Sequence, residues 1–148
     1  MRKDSRLSRM LHVLIHMDHL GEPATSERIA KMLNTNPVVV RRTMAGLRDK
    51  GYVTSVKGHG GGWSLAKALH EISLLDIHYA IGDSSVFTIG LSDEHTACQI
   101  EKAVNSAIND ALQEAEALLL QRFGEVTLDV LAKDFTGSPY LTPNQNEA

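Results

Sequence analysis

The stretch that decides the fold is Asn36-Pro37-Val38-Val39-Val40-Arg41-Arg42-Thr43-Met44-Ala45-Gly46-Leu47-Arg48-Asp49-Lys50-Gly51. An Asx residue followed by proline is a helix start. The side chain caps a free N–H, and proline sits where its missing donor costs nothing. Gly51 supplies the stop. At 100° per residue Val40, Met44 and Leu47 fall on one side. Val38, Arg41, Arg42, Ala45 and Arg48 fall on the other. One face is made for a core; the opposite face is cationic with small side chains between the arginines.

Working outward, Tyr52–Val56 is rich in β-branched and aromatic residues and predicts a strand. Lys57-Gly58-His59-Gly60-Gly61-Gly62 is a glycine-rich turn, and Trp63–Ala66 reads as the returning strand. Upstream, Thr25 and Ser26 offer capping hydroxyls to a short helix, Glu27–Leu33, with Ile29, Ala30 and Leu33 inward. Before it, Leu7, Met10, Leu11, Leu14, Ile15 and Leu20 recur at three- and four-residue spacing and predict an amphipathic helix over 5–20, stopped at Gly21-Glu22-Pro23. Helix, helix, turn, helix and a glycine-tipped hairpin is the order of a winged helix-turn-helix, whose third helix is the one that enters a DNA major groove.

Downstream, Ile72–Ile81 predicts a fourth helix capped by Ser73, and Val86–Ile89 a short apolar segment. A long helix is expected over about Thr96–Phe123, ended by Gly124. A last short helix, Leu128–Phe135, is capped by Thr127. Ile100, Val104, Ala107, Ala111 and Leu118 form one seam of the long helix, with Ile108 beside it. A broad apolar face on so long a helix predicts a second subunit as its partner. The fold class is therefore mainly α with a small β-hairpin. A DNA-binding domain is expected over 1–82, an effector and dimerisation region over 83–135, and a flexible tail over 136–148.

The chain has 148 residues and a net charge of −3. That balance hides a strong asymmetry. Residues 1–67 carry twelve Lys/Arg against five acids, a balance of +7; residues 68–148 carry three against thirteen, a balance of −10. A cationic half predicts a polyanionic partner, and double-stranded DNA fits. Arg41 and Arg42 are the expected base-edge contacts, since a guanidinium can read guanine bidentately. Val38, Ala45 and Arg48 complete that face. Ser26, Thr35 and Asn36, at helix N-termini, are expected phosphate contacts. Lys57, His59, Gly60 and Lys67 are the expected wing contacts. The glycine run lacks the lysine and the following helix of a nucleotide-binding loop. Trp63 is expected to anchor the hairpin on the core.

Several function classes drop out. No run of about 18 apolar residues is present, so no membrane partner is expected and the cytoplasm is the default location. No Ser/His/Asp order, paired-carboxylate motif or H-E-x-x-H occurs, so no enzyme is expected. Cys98 is the single cysteine. It excludes a disulfide within the chain and a site built from several thiolates. No cofactor is expected. Cys98, with His95 near the start of the long helix, is a candidate redox sensor. His12, His16 and His19 share one helix face at metal-ligand spacing, but metal binding is not the favoured reading.

Six stretches resemble a known family of bacterial winged-helix regulators, the Rrf2 family. They are Ser26–Ala30, Asn36–Met44, Leu47–Val53, Gly58–Ala66, Ile72–Ile77 and Val126–Leu131. Its members include the iron–sulfur cluster regulator and the nitric-oxide-sensitive repressor. The resemblance spans about residues 5–135. It implies a homodimer paired through the long helices, with two heads on a near-palindromic operator. Cluster-binding members carry three cysteines before that helix; this chain has Cys98 alone, so an iron–sulfur cluster is not expected. The resulting expectation is a sequence-specific transcriptional repressor. A regulator switched through Cys98 or the histidines, and a protein–protein adaptor that kept the fold, are the alternatives.

Overall fold

A computed structural model describes residues 4–59, 61–82, 86–87, 89–92 and 95–133. The element order is α1 (Arg6–Leu20), α2 (Ser26–Leu33), α3 (Pro37–Asp49), β1 (Val53–Val56), β2 (Gly62–Leu65), a 3₁₀ turn (Leu69–Glu71), α4 (Leu74–Ala80), α5 (Gln99–Glu125) and α6 (Leu128–Ala132). The fold is a winged helix-turn-helix, mostly helical with one two-stranded antiparallel hairpin.

The caps follow local chemistry. Thr25 Oγ1 accepts from the Arg28 N–H at 3.1 Å, and Asn36 Oδ1 from the Val39 N–H at 3.1 Å. Ser73 and Asp76 form a reciprocal box at the start of α4: the Asp76 N–H donates to Ser73 Oγ at 3.1 Å, and the Ser73 N–H to Asp76 Oδ2 at 2.9 Å. Each satisfies donors that a helix start otherwise leaves bare.

Helix α1 is the centre of the head. Met10, Leu11, Val13, Leu14, Ile15 and Met17 are all buried along it. The predicted stripe omits Val13 and Met17; they are covered because α2, α4, α6 and β2 surround the helix on several sides. Ile29, Met44, Leu47, Ile72, Ile77 and Leu128 close the same core.

The hairpin register pairs Val53 with Leu65 and Val56 with Gly62. Trp63 also bridges to Ala24, exchanging backbone hydrogen bonds of 2.9 and 2.8 Å. Here Gly62 has a reason to be glycine. Its φ is +149°, and a Cβ would lie 2.5 Å from the Ala24 carbonyl oxygen. The wing is thus sewn to the segment leading into α2.

One expected helix end moves. Helix α5 continues through Gly124 to Glu125, because Gly124 lies against α4: a Cβ there would sit 3.4 Å from Leu75 Cδ2. Within the expected second region, α6 returns to the head. The Leu74 N–H bonds the Val126 carbonyl at 3.0 Å, the Leu128 N–H bonds the Ile72 carbonyl at 2.9 Å, and Leu128 is fully buried. The expected apolar segment Val86–Ile89 forms no strand among its described residues, and the expected 136–148 tail lies outside them.

Candidate nucleic-acid interface

Helix α3 divides as its sequence requires. Val40, Met44 and Leu47 are buried. Val38, Arg41, Arg42 and Arg48 are exposed, and Ala45 is half-buried. The burial of three side chains at i, i+4 and i+7 fixes the rotation of the helix, so the guanidinium groups can only face outward.

The three arginines are held differently. Arg41 reaches back to Glu27 of α2 at 2.9 Å, an ion pair open to water on both sides. Arg48 lies 3.6 Å from Asp49. Arg42 makes no ion pair among the described residues. It is therefore the guanidinium with least to give up on meeting an anion.

Around α3 the supporting residues are sorted by the fold. Asn36 is exposed at the tip of α3, with Oδ1 spent on its cap, and Thr35 is half-buried beside it. Ser26 is placed elsewhere than expected. It is buried, and its Oγ accepts a hydrogen bond of 3.0 Å from Trp63 Nε1. Its hydroxyl is committed inside the fold, so Thr25 takes the cap and Ser26 is not on the exposed surface. Trp63 is buried at the other end of that bond, holding the wing to α2.

On the wing Lys57 and His59 are exposed, and Gly60 lies outside the described residues. Lys67 sits with Nζ 5.1 Å from the Tyr52 ring centroid. That cation–π contact steadies the ammonium without neutralising it. The Tyr52 hydroxyl is pushed above its usual value, first by burial, then by the charge of Asp76 and a hydrogen bond to it.

Sequence reasoning missed Arg6 and Arg9. They reach the same side of the head as Arg42 and border one hollow with it. Their spacing on one helical face was the available signal. What joins them to α3 is the tertiary packing.

The remaining candidates are placed as follows. His12 and His16 approach with Nε2 atoms 2.7 Å apart and rings edge to face. His16 is held below its usual value, first by burial, then by the charges of His12 and His19. His19 is exposed. Cys98 is exposed at the N-cap of α5, its N–H bonded to Thr96 Oγ1 at 3.1 Å, and His95 is exposed three residues before it. Among the described residues no group of three or more His, Cys, Asp or Glu is placed to hold a metal ion. One thiolate without such a group does not fit an iron–sulfur cluster held by this chain's described side chains.

Helix α5 has no buried residue along its 27 residues. Ile100, Val104 and Leu118 are 77%, 50% and 59% exposed. Ala107 and Ala111 are exposed between them, and Ile108 is half-buried. No helix among the described residues is long and apolar enough to cross a membrane.

Comparison with known proteins places this geometry. The model of the Rrf2 family, described as iron-dependent transcriptional regulators, matches residues 4–134. A Lactococcus lactis protein named as an HTH-type transcriptional regulator, YffB, is 32% identical over 90% of this chain and 88% of its own. A Bacillus subtilis protein named in the same way, YwnA, is 33% identical over 76% and 84%. A solved structure from Lactobacillus plantarum superposes with a TM-score of 0.72 over 90% of this chain and 91% of its own, at 22% identity.

Proposed function

The chain belongs to the Rrf2 family of transcriptional regulators, and from that premise we propose that it is a cytoplasmic, sequence-specific repressor binding a near-palindromic operator as a homodimer. The observation that carries the DNA contact is the division of α3: Val40, Met44 and Leu47 locked in the core, Val38, Arg41, Arg42 and Arg48 left outside. Helix α3 enters the major groove. Arg42 and Arg41 read base edges, with Val38 and Ala45 against the groove floor. Thr35, Asn36 and Arg48 face phosphates, and Lys57, His59 and Lys67 carry the wing along the backbone. Ser26 acts from inside, by fixing the wing.

Helix α5 supplies the second copy. A helix of 27 residues is about 40 Å long. Its C-terminal end rests on α4, where Phe123 meets His78 at 6.0 Å between ring centroids. The opposite end carries Ile100 and Val104 with no cover from the head. Pairing those faces buries them and holds two α3 helices for successive major grooves, about 34–36 Å apart. A dimer on an operator blocks transcription by occupying the site.

Fluorescence anisotropy against duplex DNA selected from random sequence tests the reading. Affinity is expected to fall with salt with a log–log slope of about −0.9 for each phosphate neutralised. Arg42→Ala is expected to cost about 1–3 kcal/mol per protomer without loss of fold. Val104→Glu is expected to give a monomer by light scattering. A salt-independent signal, or a wild-type affinity for Arg42→Ala at matched salt, refutes it.

A further inference from the structure

Beside α3 lies a half-open hollow of about 280 Å3, bordered by α1, the end of α2, α3 and the end of α4. Its lining includes the apolar Met10, Leu33, Val39 and Ile81. It also includes the guanidinium groups of Arg6, Arg9 and Arg42. No carboxylate among the described residues lines it. We infer that this hollow is an effector seat for a small organic carboxylate with an apolar body, whose occupancy competes with DNA. The inference rests on the DNA-binding reading only for its second half.

Chemistry selects the ligand class. Arg6 shares its charge with Asp4 at 2.8 Å. Arg9 donates from Nη2 to the Leu33 carbonyl, a neutral acceptor that positions the guanidinium and leaves its charge intact. Arg42 has no ion pair among the described residues. Two uncompensated guanidinium groups over apolar side chains match an anion with a hydrocarbon or aromatic body. An inorganic anion uses the guanidinium groups and leaves the apolar lining in water. A carboxylate with a tail uses both, and pockets of this mixed kind are the usual small-molecule sites.

The coupling follows from one shared residue. Arg42 lines the hollow and also stands on the exposed face of α3. A carboxylate paired with Arg42 takes that guanidinium from DNA. DNA paired with Arg42 takes it from the carboxylate. The two ligands therefore weaken each other by the same factor.

The test uses the full chain and hexanoate as probe, with acetate and chloride at matched ionic strength. Without DNA, calorimetric titration with hexanoate is expected to saturate, and acetate at the same concentrations is expected not to. Arg9→Gln and Ala80→Leu, the second filling the hollow, are each expected to abolish saturation while keeping the wild-type melting temperature within a few degrees. In the presence of a selected fluorescent duplex, hexanoate at ten times its own Kd is expected to raise the DNA Kd about tenfold. Equal behaviour of hexanoate and acetate overturns the seat, as does saturation that survives both variants. Saturation with an unchanged DNA Kd overturns the competition. A protein that binds hexanoate and no DNA refutes the operator reading and leaves the seat standing.

Discussion

Removing one hydroxyl from the core should loosen the wing. In Ser26→Ala the Trp63 Nε1–H loses its acceptor at 3.0 Å while both residues stay buried. No buried side-chain polar atom is unpaired among the described residues of the native protein, so the substitution creates an orphan donor. Such a donor costs about 1–3 kcal/mol. For a chain of this length each kcal/mol lowers the melting temperature by about 2–4 °C, so a fall of order 5 °C is expected. The comparison is made at fixed protein concentration, because association shifts the transition. In a Trp63→Phe background the donor is already gone, and the same Ser26→Ala change should cost no more than a few tenths of a kcal/mol. Equal costs in both backgrounds refute the bond as the source. DNA binding supplies the second test. The sequence alone suggests that Ser26 faces a phosphate. A phosphate contact would cost about 0.5–1.5 kcal/mol of DNA affinity per protomer at full stability, with the salt slope unchanged because a hydroxyl neutralises no charge. The buried placement predicts the reverse: lower stability and little change in affinity, measured where both proteins are folded.

Three further outcomes are expected. Gly62→Ala should lower the unfolding free energy measured in urea by at least the 1–3 kcal/mol or so of a strained backbone, since the new Cβ meets the Ala24 carbonyl at 2.5 Å; Gly58→Ala, at φ +94° with nothing within 4 Å, should cost less. Glu27→Gln should leave stability nearly unchanged, because the Arg41 pair is exposed, yet tighten DNA binding by up to about fivefold per protomer by releasing Arg41. Weaker binding instead would mean that Glu27 aims Arg41. His16 titrates below its ordinary 6.5 in the folded chain, so the unfolded chain binds the extra proton first. Stability should therefore be complete above that ordinary value and fall as pH drops from it toward the lowered folded value. His16→Gln should flatten the corresponding loss of melting temperature.

What the sequence revealed and what it concealed divide along one physical line. Features set by a few consecutive residues were legible: the Asn36-Pro37 start, the Ser73 cap and the two faces of α3. Features set by distant partners were not. Thr25 and Ser26 look alike as caps, and only an indole 37 residues downstream from Ser26 decides which hydroxyl is free. Gly124 looks like a helix terminator, but packing against Leu75 makes it a close-approach residue inside α5. Arg6, Arg9 and Arg42 are separated in sequence and meet at one hollow.

The long helix stands between these cases. Its seam of Ile100, Val104, Ala107, Ala111 and Leu118 is readable from spacing, because periodicity records which side seeks cover. It does not record who provides the cover. The folded chain supplies half of that answer: α4 takes the end at Phe123 and Gly124, while Ile100, Val104 and Leu118 remain half or more exposed. A head that buries Leu14, Met44 and Ile77 completely and leaves an apolar seam bare has not run short of packing capacity. It has presented an apolar surface that the proposed dimer would cover, since a second copy offers the same seam in return. In that proposed dimer the spacing of the two α3 helices would be set by side chains far from DNA. Val104→Glu should then lower affinity for a two-half-site duplex far more than for a single half-site.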